Sequence, residues 1–315
     1  MKHIAVIGEI CLDVIMHQPR SVEVHGHNIW AGDIITTIGG SAALTSAALA
    51  HLGEPVKIFG TIGDDDAGDK IMRILQSACV DCSGITVLPG EKTTVSMIVC
   101  NKDQKDFLGC SPMLPLVIPD VDSLNQTKLV YVAGFLLYKE FWGEESIRYF
   151  KKARQMGIPI VTDGQCTGID AFDLDPNAHA PYDEMLLLSD VFLAAKKELR
   201  HLLLENDEPG QACKMLKTGL KTLVIKRGAK GAVAFDADSS YEAEGYPVDV
   251  YDSVGSGDIF GAAYAYGILN GWPAKDCVEF ATIFAACSLL EYKDRKQYPS
   301  LESVLKALKN RRDSF

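Results

Sequence analysis

The segment Asp252-Ser253-Val254-Gly255-Ser256-Gly257-Asp258 brings together small residues and carboxylates at a spacing suited to handling a phosphate. Gly255, Ser256 and Gly257 let the backbone turn tightly into the apolar, helix-forming run that begins at Ile259. The first amides of such a helix lack intrahelical acceptors, and together with the helix dipole they form a site for an anion. Asp258 falls in the first turn, beside that site. A carboxylate there is poorly placed to bind a phosphate and well placed to take a proton from an attacking hydroxyl. An aspartate that merely complements the dipole would look the same, so this segment alone leaves catalysis and capping both open.

Other reactive patterns are weaker. No G-x-x-x-x-G-K-[ST] occurs; the nearest stretch, Gly63–Lys70, lacks the final Gly-Lys-Ser/Thr and carries three aspartates where phosphate would lie. Gly255, Gly257 and Gly261 loosely suggest a dinucleotide fingerprint, but that fingerprint opens a first βαβ unit, and only helical patterns follow here. Cys79 and Cys82 form a single CxxC with no second pair, short of the four ligands of a structural zinc site. His25 and His27 could share a metal, yet no third ligand is apparent, and they read as surface residues. Asp64–Asp66 read as helix-start acids that favour the dipole. Lys226 and Arg227 end a strand, where they either neutralise phosphates or sit solvated.

The elements that would position these residues are legible from periodicity. Lys2–Gly8, Val56–Thr61, Leu129–Gly134, Ile158–Asp163, Val191–Ala194 and Thr222–Lys226 are short, apolar, β-branched runs that read as strands buried on both faces. Ser41–Leu52, Asp66–Ser77, Glu144–Met156 and Lys196–Leu204 carry helical spacing, as do Ile259–Leu269, Ala274–Leu290 and Leu301–Lys309 at the end. Such alternation predicts parallel βαβ units with helices on both faces of one sheet. Leu12–Ile38 and Thr93–Leu116 break the rhythm with strand-like alternation and no helix. They are expected to pair as a small separate sheet.

Composition bounds the rest. The 315 residues are 47% hydrophobic and 23% charged, as in ordinary globular proteins, which excludes disordered and collagen-like classes. With 31 Lys plus Arg against 42 Asp plus Glu, the formal charge of -11 repels a polyphosphate backbone, so no nucleic-acid partner is expected. Nine cysteines spread through apolar stretches read as reduced thiols. The apolar run Ile4–Ile7 is short for a signal peptide, and no stretch reaches the length of a membrane span. A cytoplasmic protein without a membrane partner is expected.

Several motifs in order carry a resemblance over nearly the whole chain. They are Gly8-Glu9-Ile10-Cys11-Leu12-Asp13, Gly39-Gly40-Ser41-Ala42-Ala43, Gly60-Thr61-Ile62-Gly63-Asp64-Asp65-Asp66, Val224-Ile225-Lys226-Arg227-Gly228-Ala229-Lys230-Gly231, the helix around Phe280–Ser288, and Asp252–Asp258. The chain resembles the ribokinase-like (PfkB) carbohydrate and nucleoside kinases, whose D-T-x-G-A-G-D signature the last segment matches with Ser at two positions. The resemblance implies a three-layer α/β/α fold with a mostly parallel sheet. Residues 1–11, 39–92 and 117–315 would form this main domain, and 12–38 and 93–116 a β-lid. It implies ATP- and Mg2+-dependent phosphorylation of a hydroxymethyl group. Asp258 takes the position of the general base, and Gly255, Ser256 and Gly257 that of the anion hole. Asp13, Gly39, Gly40 and Asp252 fall on the substrate side. Lys226, Gly228, Gly231, Thr282 and Ala285 fall in the nucleotide region, and Glu198 where an acid acts on the magnesium–phosphate network through water.

Departures from the family pattern bear on the substrate. Leu44 and Cys11 stand where the family has sugar-contacting Asn, Ala195 and Thr282 where it has further Asn residues. Losing donors at Cys11 and Leu44 argues against ribose itself. A sugar or sugar-like substrate is expected, with a nucleoside kinase or a non-catalytic binder on the same fold as alternatives and a homodimer through the lid left open. Many members of the family bind potassium beside the anion hole using a Gly-Ala turn. Here that region reads Tyr292-Lys293-Asp294-Arg295-Lys296-Gln297-Tyr298-Pro299, so a fixed cation could take the same electrostatic role.

Overall fold

A computed structural model describes residues 2–17, 32–101, 104–165, 179–196, 198–199, 207–217, 219–290 and 298–313. In chain order the elements are β1 (His3–Gly8), β2 (Cys11–His17), β3 (Asp33–Gly39), α1 (Ser41–His51), β4 (Val56–Gly63), α2 (Asp66–Ser77), β5 (Asp81–Leu88), β6 (Val95–Asn101), β7 (Gln104–Cys110) and β8 (Thr127–Ala133). There follow α3 (Glu144–Gln155), β9 (Ile160–Asp163), α4 (His179–Leu188), β10 (Val191–Ala195), α5 (Glu208–Lys217), β11 (Thr222–Lys226), β12 (Ala232–Phe235), β13 (Ser240–Ala243), α6 (Ser256–Leu269), α7 (Ala274–Cys287) and α8 (Leu301–Asp313).

Nine strands form the main sheet in the order β13-β12-β11-β10-β9-β8-β1-β4-β5. The seven from β11 to β5 run parallel, and the β12–β13 hairpin closes one edge antiparallel. Alternate residues of each strand enter different cores. Ile4 and Val6 of β1 join Tyr131, Leu193 and Val224 under α1, α6 and α7. Ala5 and Ile7 join Val132, Phe192 and Ile225 against Tyr149 and Phe150 of α3, Met185 of α4 and Met215 of α5. Two cores, one on each sheet face, make three layers and require strands apolar on both sides. This is the three-layer α/β fold expected from the sequence.

The strands and helices expected from periodicity are present, each within about four residues of its predicted ends, except that the Lys196–Leu204 helix falls mostly outside the described residues, which omit 197 and 200–204. β5 escaped the sequence reading because Asp81, Ser83 and Gly84 interrupt its apolar run, as befits an edge strand with one side solvated.

The segments that broke the rhythm supply a second sheet of four strands in the order β3-β2-β6-β7. β2 pairs antiparallel with β3 and parallel with β6, and β6 pairs antiparallel with β7. Only Glu9 and Ile10 separate β1 of the main sheet from β2 of the second. His25 and His27 lie outside the described residues, as does the 291–297 stretch of the cation expectation.

Candidate active site

The carboxyl ends of parallel strands meet the second sheet where the chain order reverses beside β1, the usual place for a ligand in such folds. Two helices start there. Gly40 caps α1 with φ 81°, and Gly255 caps α6 with a left-handed φ of 75°. A side chain at Gly40 would also run into the Glu9 carbonyl, 2.6 Å from its Cβ. Glycine is needed at both turns on backbone grounds.

Asp258 lies in the first turn of α6 and is buried. Its Oδ1 accepts a 2.6 Å hydrogen bond from Ser41 Oγ, the first residue of α1, and its carbonyl accepts from Thr45 Oγ1 at 3.4 Å. The two helix starts are thereby joined through the carboxylate that the sequence singled out. Gly255, Ser256 and Gly257 precede it as expected, and a Cβ at Gly257 would stand 3.5 Å from Lys226 Nζ.

Asp13 is buried on β2 and accepts a contact from Cys11 Sγ at 3.5 Å. Gly39 leaves room for it, since a Cβ at Gly39 would fall 2.0 Å from Asp13 Oδ1. The glycine pair therefore makes space for groups of the protein itself. Glu9 completes an acidic trio. Burial, followed by the charges of Asp13 and Asp258, pushes its carboxyl up to about 7, against a backbone hydrogen bond from Ser41 that favours the anion.

Beneath the α6 start lies a buried ion pair. Lys226 Nζ donates to both oxygens of Asp163, at 2.8 and 3.0 Å, and Tyr131 Oη donates to Asp163 Oδ2 at 3.1 Å. Burial would pull Lys226 down, yet the carboxylates of Asp163 and Glu198 hold it above its ordinary value, so it stays charged. Burial keeps the Tyr131 phenol protonated, well above its usual range. Gly261 admits this network: its Cβ would come 1.9 Å from Tyr131 Oη. Glu198 is buried nearby and accepts from the Ala195 N–H at 2.7 Å.

The remaining predicted residues are more scattered. Arg227 turns to Glu208 and Glu242, away from Lys226. Gly228 faces open space, while a Cβ at Gly231 would meet the Ala243 carbonyl at 2.0 Å, a packing requirement. The Thr282 hydroxyl donates to Val278 O at 2.8 Å within α7, and Ala285 is buried on the same helix. The Asp252 carboxylate accepts from Val254 N–H at 2.7 Å and faces His17 and Cys100 on the second sheet. The sequence reading gave no role to Glu9, Ser41, Tyr131, Asp163, His17 or Cys100. For Asp163 a signal existed, an acid ending a predicted parallel strand.

A sequence model of the pfkB family of carbohydrate kinases matches residues 1–301. The chain belongs to that family. As a pfkB carbohydrate kinase it is a phosphotransferase with an alcohol acceptor. It is 24% identical over 327 residues to the 5-dehydro-2-deoxygluconokinase of Clostridium perfringens, covering 99% of this chain and 94% of the relative. In three dimensions this pfkB chain is similar to a candidate ribokinase of Agrobacterium tumefaciens, with TM-score 0.84, 17% identity and 99% of each chain covered. It is also similar to a candidate ribokinase II of E. coli in complex with ATP and Mg2+, with TM-score 0.79, 21% identity, and 99% of this chain and 100% of that one covered. Among the described residues no helix is long and apolar enough to cross a membrane.

Proposed function

We propose that the protein transfers the γ-phosphoryl group of ATP to a hydroxymethyl group of a sugar or sugar-like small molecule, with Asp258 as the general base. The observation that carries this is the buried Asp258 carboxylate, fixed by Ser41 at 2.6 Å in the first turn of α6, directly after Gly255, Ser256 and Gly257. The hydroxymethyl oxygen gives its proton to Asp258 and attacks the γ-phosphorus. The bond to the bridging oxygen breaks, and ADP leaves with that electron pair. The N–H groups at the α6 start and the fixed charge of Lys226 stabilise the transferred group as negative charge spreads over its oxygens. Asp13 accepts hydroxyl hydrogen bonds and orients the substrate.

Magnesium would neutralise the polyphosphate, and Glu198 is the residue to hold it through water, since a hard cation prefers carboxylate and retained waters. The buried carboxylate of Glu198, held beside the end of β10 by the Ala195 N–H, has the donor chemistry for that role. Gly228 and Gly231 line the nucleotide side, with Thr282 and Ala285 of α7. ATP dependence and reduced cysteines favour the cytoplasm.

Leu44 and Cys11, both buried, offer no amide donors to a furanose. Together with the named activity of the Clostridium perfringens relative, this favours keto-sugar acids over ribose. The test is ADP release across ketoses, keto-sugar acids and nucleosides, run beside Asp258→Asn. Turnover of no alcohol above the rate of ATP hydrolysis alone would overturn the reading.

A further inference from the structure

The phosphoryl chemistry makes no use of a cluster between the second sheet and the loop leading to Gly255. His17 and Cys100 stand opposite each other in the parallel β2–β6 pair and so share one face. Asp252 turns one oxygen to each. His17 Nε2 lies 3.3 Å from Oδ2, Cys100 Sγ lies 3.6 Å from Oδ1, and the three donor atoms lie within 4.8 Å of one another.

The surroundings are largely apolar. Cys100 packs with Ile15, Ile98 and Val254, and the Tyr251 ring lies 5.1 Å from the imidazole. The His17 side chain is only 5% exposed, yet its Nδ1 has no hydrogen-bond partner among the described residues. An imidazole buried on one 3.3 Å contact falls short of what would offset its desolvation; an ion held by Nε2 beside Asp252 would supply the missing interaction, while Nδ1 diverges from it.

Imidazole nitrogen, thiol sulfur and carboxylate oxygen are together the donors of a borderline-soft divalent ion, whereas a hard ion such as Mg2+ would take oxygens alone. Tetrahedral zinc, with bonds of about 2.05 Å to nitrogen, 2.1 Å to oxygen and 2.3 Å to sulfur, has a nitrogen–oxygen edge of about 3.4 Å and a sulfur–oxygen edge of about 3.6 Å. The separations of 3.3 and 3.6 Å match those edges, although they run to different carboxylate oxygens. The carboxylate can straddle the ion or turn one oxygen to it.

We propose that His17, Cys100 and Asp252 bind a zinc-like divalent cation, with water in the open position. The Cys100 thiol proton goes to solvent as the sulfur–metal bond forms. The ion ties two strands of the second sheet to the loop that positions the α6 start.

Cobalt is the probe. Full-length protein, reduced and freed of metal with EDTA, is titrated with Co2+ in the absence of nucleotide and sugar. The outcome is therefore independent of the kinase reading, and either can fail alone. One equivalent is expected to give a near-ultraviolet thiolate-to-cobalt charge-transfer band and visible bands of tetrahedral intensity, both removed by Zn2+. Cys100→Ser abolishes the charge-transfer band. His17→Gln weakens Co2+ binding by at least about 10-fold, and Cys79→Ser with Cys82→Ser leaves the spectrum unchanged. Absence of the band in the native protein, or its survival in Cys100→Ser, overturns the proposal. Should Cys100→Ser fail to fold, unchanged affinity in His17→Gln overturns it instead.

Discussion

Ser41 Oγ donates a 2.6 Å hydrogen bond to Asp258 Oδ1 across 217 residues of sequence. The bond holds the carboxylate in one orientation at the start of α6, where the proposed reaction would take a proton from an incoming hydroxyl. Asp258→Asn keeps the shape and removes the proton acceptor. We expect kcat to fall by ~10²–10⁴-fold with KM little changed. Ser41→Ala leaves the base in place but loosens it, and a smaller fall of about 10–100-fold is expected, since a hydrogen bond to a charged group is worth about 1.5–3 kcal/mol. Steady-state kinetics check both. Near-native turnover in Asp258→Asn would reduce that residue to a helix-start acid.

Glu9 should make stability depend on pH. Its carboxyl titrates near 7 in the folded chain against an ordinary 4.5, so the folded state holds the extra proton between those values. The stabilisation from that proton is complete below 4.5 and is lost as pH rises through about 7. A shift of this size corresponds to the order of 3 kcal/mol. Glu9→Gln stays neutral and can still accept from the Ser41 amide. Urea unfolding at pH 5 and pH 8 should show the native protein losing stability relative to the variant; parallel behaviour at the two pH values would contradict the assignment.

The contact of Gly261 with Tyr131 admits no side chain. Gly261→Ala places a methyl group 1.9 Å from the phenol oxygen, and overpacking of a filled core costs about 1–3 kcal/mol or more. Because Tyr131 also holds Asp163, the partner of Lys226, both melting temperature and kcat should drop. Tyr131→Phe in the same chain clears space and should restore part of the stability. Thermal denaturation of the single and double variants decides it.

The second sheet should act as a lid. A phosphoryl-transfer site open to water wastes ATP by hydrolysis, so closure over the substrate is expected. Amide hydrogen exchange over 12–38 and 93–116 should slow when substrate is saturating. Unchanged exchange in both segments would count against closure.

The strand–helix alternation was legible because Ile4–Ile7, Leu129–Val132 and Leu223–Ile225 are buried on both faces, which leaves an unmixed apolar run. Asp13 and Asp258 were legible because the motifs around them are local. Ser41 and His17 were not, since their meaning lies in partners far along the chain, and for Asp163 only its place at a strand end was. His17 meets Asp252 across 235 residues, and Lys226 meets Asp163 across 63. Thr282 was legible only by its place in the motif order; that its hydroxyl donates to the carbonyl four residues back is visible in the fold alone.

The two-residue passage from β1 to β2 limits what evolution can do here. Side chains on a strand alternate between faces, so one residue inserted or deleted between Gly8 and Cys11 would turn Asp13 to the opposite side of the second sheet. His17, an even number of residues further on, would turn with it. Length variation in this chain should therefore avoid the Glu9–Ile10 step, which sets the phase of every side chain on β2.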